Sequence, residues 1–206
     1  MRRFIWFLFL LPSLGSLAQG KMMFKGGLNV SSTSQAISDE MDNPLSKVGF
    51  HAGLGADIPL GSQKVTLQPA LLFAQRGYIA NYKTQTIRST TTINYIDLPI
   101  NLMGKLGGEE RNTKFLIFAG GYVACGVGGK TKDRTNGVLQ DQYNVRFNYD
   151  LKRFDVGVQG GVGVEVDYFQ ITAFYQQGLM NVSPYISGVH NKMFGLSLSY
   201  LFDAVF

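Results

Sequence analysis

The sequence is short of charge, of cysteine and of long apolar runs, and each shortage removes a class of protein. Charged residues make up 16% of the chain, against roughly 25% in soluble domains. The one cysteine, Cys125, cannot close an internal disulfide, so the fold must hold without such staples. It also lacks an evident histidine partner that would activate it as a nucleophile. After residue 18 no stretch reaches eighteen consecutive apolar residues, which excludes a membrane-spanning helix. His51 and His190 are the two histidines. Neither has a second ligand at metal spacing, so no metal, cofactor or catalytic group is expected.

What is present begins with an export signature. Met1-Arg2-Arg3 is followed by an apolar run from Phe4 to Leu11, and Ser16-Leu17-Ala18 places small residues before a cut ahead of Gln19. Positive, apolar and small residues in that order predict a secretory signal peptide over 1–18 and a single domain over 19–206. Formal charge is +5 and falls to +3 without Arg2 and Arg3. That charge is too small and too scattered for a nucleic-acid footprint. Glycine is frequent at 25 of 206 residues, and aromatics reach 13%. Glycine and aromatic richness, low charge and the lack of a spanning helix together suit a membrane β-barrel.

Patterning carries the argument further, because apolar residues recur at period two from end to end. Val48, Phe50, Ala52, Leu54, Ala56 and Ile58 alternate with Gly49, His51, Gly53, Gly55 and Asp57. In 153–167, Phe154, Val156, Val158, Val162, Val164 and Val166 alternate with Arg153, Asp155, Gly157, Gln159, Gly161, Gly163, Glu165 and Asp167. Strands are predicted at 22–30, 47–58, 64–78, 92–102, 114–127, 153–167, 170–179 and 192–206, which makes about eight. The 114–127 strand is apolar on both faces, so its orientation stays open. Long polar links (31–46, 79–91, 128–150, 180–191) alternate with short ones (59–63, 104–113, 167–169). Outer-membrane barrels alternate long extracellular loops with short periplasmic turns in this way.

Two barrels fit the alternation. A soluble lipocalin-like barrel would hold its apolar file inward around a ligand. The polar file here is loaded with glycine rather than charge, and a strand glycine is unfavourable unless atoms approach it closely. A narrow barrel interior supplies that close approach. The expectation is therefore an all-β, roughly eight-stranded antiparallel up-and-down transmembrane barrel of the outer-membrane type, with lipid outside. Arg76, Asp97, Arg153, Asp155, Glu165 and Asp167 then face the lumen and fill it as ion pairs. Tyr200, Phe202 and Phe206 continue the lipid-facing parity and form a C-terminal aromatic girdle.

The segments Phe24-Lys25-Gly26-Gly27-Leu28-Asn29-Val30, Leu67-Gln68-Pro69-Ala70-Leu71-Leu72-Phe73, Asn94-Tyr95-Ile96-Asp97-Leu98-Pro99-Ile100 and Leu196-Ser197-Leu198-Ser199-Tyr200-Leu201-Phe202 resemble the PorT-like outer-membrane β-barrel family. The resemblance implies an eight-stranded barrel inserted by the barrel-assembly machinery into outer-membrane lipid, without catalytic residues. It also opens a role as an accessory of a protein-secretion apparatus. Ala124–Thr131 satisfies a relaxed phosphate-loop pattern, but 132–150 lacks the helical period that such a loop requires. Segment 128–150, with Lys130, Lys132, Arg134, Tyr143, Phe147 and Tyr149, is the expected contact surface for a protein partner.

Overall fold

Alternating residues place one file on each face of a strand, and the strands close into a ring. A computed structural model describes residues 20–35, 42, 44–82, 87–107 and 113–203. The expected signal segment 1–18 and Phe206 lie outside the described residues. Nine strands run in chain order: β1 Lys21–Thr33, β2 Leu45–Pro59, β3 Val65–Asn81, β4 Ile87–Leu106, β5 Thr113–Thr135, β6 Val138–Asn144, β7 Phe154–Val166, β8 Phe169–Gly178 and β9 Asn191–Asp203. Every neighbouring pair is antiparallel. Eight of them form the ring β1-β2-β3-β4-β5-β7-β8-β9, closed where β9 pairs with β1. Closure leaves those strands no open edge within the ring.

The two faces have opposite chemistry. Outward stand Phe24 (57% exposed), Leu28 (66%), Val48, Leu98, Leu102, Phe115 (64%), Val158, Ile171 and Leu196. Inward and buried stand Asn29, His51, Thr66, Gln68, Arg76, Asp97, Asn101, Asp155, Gln159, Glu165, Gln170, Gln176, Ser197 and Ser199. A soluble ligand-binding barrel would have the reverse. Glycine on the inner face serves close packing: a Cβ on Gly157 would stand 2.6 Å from the Tyr122 ring, and one on Gly195 would stand 2.5 Å from the Phe174 ring.

Two expectations are corrected. Segment 128–150 is not a loop throughout, because β5 continues to Thr135 and turns back as β6. The turn is Asn136-Gly137, both at positive φ (53° and 84°), which is the two-residue signature of a strand-matching hairpin. Link 79–91 shrinks likewise, because β3 reaches Asn81 and β4 begins at Ile87. The open orientation of 114–127 is now assigned. Leu116, Phe118, Tyr122 and Ala124 point inward, while Phe115, Ile117, Val123 and Val127 point outward. Cys125 follows the outward parity, opposite Ile96.

Strand lengths are unequal around the ring. A tilted strand crosses a bilayer in about 9–11 residues, yet β4 has 20 and β5 has 23. Between them the register slips once: Tyr95 faces Gly126 but Asn94 faces Gly128, leaving Val127 as a bulge. A bulge bends a strand and re-aims its side chains. Beyond this one, β3, β4, β5 and β6 continue as an emergent sheet.

Candidate functional site

Among the described residues, buried polar side chains from all parts of the ring converge in the lumen. At the end that carries the start of β1 and the end of β9, Lys105 Nζ lies 2.6 Å from Asp57 Oδ2 and 2.7 Å from Glu165 Oε2. Lys114 Nζ reaches Glu165 Oε1 at 3.2 Å. Gln170 Nε2 donates to Glu165 Oε2 (2.8 Å), and Gln68 Nε2 donates to Asp57 Oδ1 (2.9 Å) and Gln170 Oε1 (3.3 Å). Six strands thus meet in one layer: β2, β3, β4, β5, β7 and β8. Two cations face two carboxylates, so the layer is neutral.

Nearer the mouth a second layer gathers around Arg76. Its guanidinium pairs with Asp97 in a short contact, and its Nη1 lies 3.5 Å from Asp155 Oδ2. The rings of Tyr95 and Tyr122 flank it, each centroid 5.1 Å away, a cation–π sandwich that a planar guanidinium suits. Tyr122 Oη donates to Asp155 Oδ2 at 3.0 Å, and Asn191 Nδ2 donates to the same oxygen at 2.8 Å. From Asp97 a chain of amides descends: Gln176 Nε2 donates to Gln159 Oε1 (2.5 Å), and Gln159 Nε2 donates to Asn101 Oδ1 (2.6 Å).

Between the layers sit His51, whose Nε2 is 2.7 Å from Ser197 Oγ, and an apolar cluster of Met103, Leu116, Phe118, Phe174 and Met193. Lys25 Nζ lies 6.0 Å from the Phe118 centroid. The cavity left here, bordered by Lys25, His51, Asp97, Gln159 and Gln176, measures about 10 Å³. That is room for about one water.

The mouth is covered by two loops. Val145 and Leu151 are buried against Ile93, Tyr95, Tyr122 and Ala124, with Phe147 packed beside them. Phe147 is therefore part of the cap and not of a free contact surface. It sits so close over Gly126 that a Cβ there would collide with its ring. The β8–β9 connection joins the cap: Val182 and Val189 are buried, Lys152 N–H donates to Val182 O at 2.9 Å, and Tyr149 meets Tyr185 edge-on at 6.4 Å. His190 Nδ1 lies 3.0 Å from Met180 O in this connection.

Of the six charges expected in the lumen, Arg76, Asp97, Asp155 and Glu165 are buried there. Arg153 and Asp167 are not. Arg153 precedes β7 on the exposed side of the cap, its guanidinium 5.3 Å from the Phe147 centroid. Asp167 sits at positive φ (52°) in the turn between β7 and β8 and is exposed. Both follow the inward parity, but they lie past the strand ends, where alternation no longer sets direction. Lys25, Lys105, Lys114 and Asp57 also bring charge into the lumen and were missing from the expected set. Asp57 was legible as an alternate residue, whereas Lys105 lies beyond the predicted end of its strand.

At the barrel end opposite the cap, Tyr200 and Phe202 face outward. Phe202 stacks on Phe24 (5.0 Å) and neighbours Tyr200 (6.3 Å), and Phe169 lies 5.2 Å from Tyr200. The phosphate-loop-like stretch Ala124–Thr131 is continuous strand. Among the described residues no group of three or more His, Cys, Asp or Glu is placed to hold a metal.

The match to a family model agrees with this architecture. No curated protein matches the sequence. Among solved structures, Neisserial surface protein A is 11% identical, covering 88% of this chain and 97% of its own, with a TM-score of 0.47. The N-terminal β-barrel domain of Pseudomonas aeruginosa OprF is 10% identical, with coverages of 89% and 100% and a TM-score of 0.36. An outer-membrane channel from Pseudomonas putida F1 is 11% identical, with coverages of 89% and 96% and a TM-score of 0.32. The profile described as "Outer membrane protein beta-barrel domain" matches residues 18–183. With an eight-stranded closed ring that is apolar outside and polar inside, the chain belongs to the outer membrane protein beta-barrel domain family.

Proposed function

We propose that the protein is a non-enzymatic integral barrel whose lumen is closed and whose interactions are made by the sheet and loops at the capped end. The observation that carries this reading is the residual cavity of about 10 Å³ between two ion-paired layers. Eight strands leave an interior just wide enough for side chains to fill. Purified protein in planar bilayers is expected to give no steady conductance, and a stable open channel would overturn the closed lumen.

The capped end is assigned to the cell exterior. The opposite end has the links 60–64, 107–112 and 167–168, none longer than six residues, and it holds both described chain ends. The capped end has 34–44, 82–86, 145–153 and 179–190, three of them of nine residues or more. The cluster of Phe24, Phe169, Tyr200 and Phe202 fits a periplasmic aromatic girdle. In intact cells an Asn136→Cys variant should react with a membrane-impermeant maleimide, and protection until lysis would reverse the assignment. Insertion by the barrel-assembly machinery follows from the same reading.

A protein partner is expected at the β5–β6 hairpin. β6 pairs with β5 alone, so its far edge is unpaired among the described residues. An open edge is a template for strand addition. The succession of motifs from Phe24 to Phe202 supports the narrower PorT-like assignment and, with it, a place beside a secretion apparatus. Co-purification of other envelope proteins with wild type, lost on deleting 131–143, would support that role. Recovery of the barrel alone would remove it.

A further inference from the structure

The outward face of the emergent sheet carries four cations whose arrangement calls for an anion. Arg88 on β4 stands directly across from Arg134 on β5, Thr90 across from Lys132, and Thr92 across from Lys130. Like charges directly opposite one another on a sheet repel. None of the four side chains makes an ion pair or hydrogen bond among the described residues. The nearby described acids do not relieve them. Asp133 and Asp141 alternate to the other face of β5 and β6, where they oppose each other. Asp42, whose backbone N–H donates to Asn81 O, makes no ion pair among the described residues. Polar side chains complete the cationic face: Asn81 beside Arg88, Gln75 beside Asn94, Asn144 beside Lys130 and Gln142 beside Lys132.

This face continues the lipid-facing one. On β4 the apolar file from Ile96 to Leu106 rises about 25 Å along the membrane normal at the usual rise and tilt, the height of a barrel's apolar band. The Val127 bulge lies at its upper edge. By the same conversion Lys130 lies about 10 Å above Ile96, and the Arg88–Arg134 pair about 20 Å above it. A phospholipid phosphate lies within about 5–7 Å of the hydrocarbon edge, so it would meet only the lowest cations. Two grooves run over this face. One, of about 600 Å³, is bordered by Ile79, Asn81, Arg88, Thr90 and Arg134. The other, of about 680 Å³, is bordered by Gln75, Thr92, Asn94, Lys130 and Lys132.

The geometry points to a binding surface for a tall, multiply phosphorylated glycolipid headgroup of the outer leaflet. Its acyl chains would lie on the Ile96–Leu106 belt, its inner phosphate on Lys130 and Lys132, and a further anionic group between Arg88 and Arg134. The threonine, asparagine and glutamine side chains supply hydrogen bonds to sugar hydroxyls. The inference rests on the capped end facing outward, and the maleimide experiment on Asn136→Cys tests that placement separately.

Native mass spectrometry of the full chain in detergent, titrated with bis-phosphorylated lipid A that carries a phosphorylated inner-core oligosaccharide, tests the surface. A cation at an anionic surface contributes roughly fivefold in affinity. The double variants R88Q/R134Q and K130Q/K132Q should each lose about 25-fold. Lys64→Gln, exposed at the opposite end, should lose nothing. Dephosphorylated lipid A should bind wild type weakly and be indifferent to the four substitutions. Retained heat-modifiable gel mobility will show that the variants fold. For wild type alone, affinity should fall steeply with added salt. Equal binding by wild type and both double variants, or by the dephosphorylated lipid, would overturn the proposal. So would retention of phosphatidylglycerol as strong as that of lipid A, which would mean a generic anionic contact. Binding in detergent without labelling of Asn136→Cys in cells would overturn the outer-leaflet assignment.

Discussion

The two ionic layers of the lumen solve one problem with different chemistry. Around Lys105 two cations face two carboxylates, and the neighbouring amides of Gln68 and Gln170 supply the remaining bonds. Around Arg76 one cation faces Asp97 and Asp155, and Oδ1 of each acid has no hydrogen-bond partner among the described residues. The first layer is neutral and saturated, so loss of any one partner is shared. The second depends on one planar cation held between two tyrosine rings, so its loss strands two buried charges. Lys25 borders the same small cavity as Asp97 but pairs with neither acid of this layer among the described residues.

Breaking the weaker-buffered layer should have the largest effect. Arg76→Met leaves two carboxylates buried without their cation, and the variant is expected to lose about 3–5 kcal/mol, measured by urea unfolding of the refolded barrel in detergent. Lys105→Met should lose less, about 2–3 kcal/mol, because Glu165 keeps Lys114 and Gln170. Equal losses in the two variants would end the distinction between the layers. A larger loss for Lys105 would invert it. The smallest effect is expected outside both layers. Arg153→Gln and Asp167→Asn, at exposed positions past the strand ends, should each stay within about 0.5 kcal/mol of wild type. A larger change at Arg153 would mean that its contact with Phe147 anchors the cap and that the upper layer extends into the loops.

Most of the fold was legible because period two is a local property. Val156, Val158, Val162 and Val164 lie on one face whatever they pack against. The alternation failed where the inner face is apolar too: Leu116 and Phe118 point inward to meet Met103, Phe174 and Met193 across the lumen, so 114–127 looked the same on both sides. Asn136-Gly137 was a readable hairpin signal inside 128–150. The polarity of its flanks masked it, because a strand that emerges from the membrane no longer alternates apolar with polar.

The sequence by itself determined which residues share a face within a strand, the number of crossings and the inversion of polarity that separates a membrane barrel from a soluble one. All of these follow from spacing along a single chain. Only the tertiary structure decided that Lys105 meets both Asp57 and Glu165, that Arg76 lies between Tyr95 and Tyr122, that Phe147 closes the mouth and that Arg88 faces Arg134. Those encounters depend on the register between strands and on closure of β9 against β1, which bring together side chains as distant in sequence as Asp57 and Glu165. Parity along one strand carries no information about either.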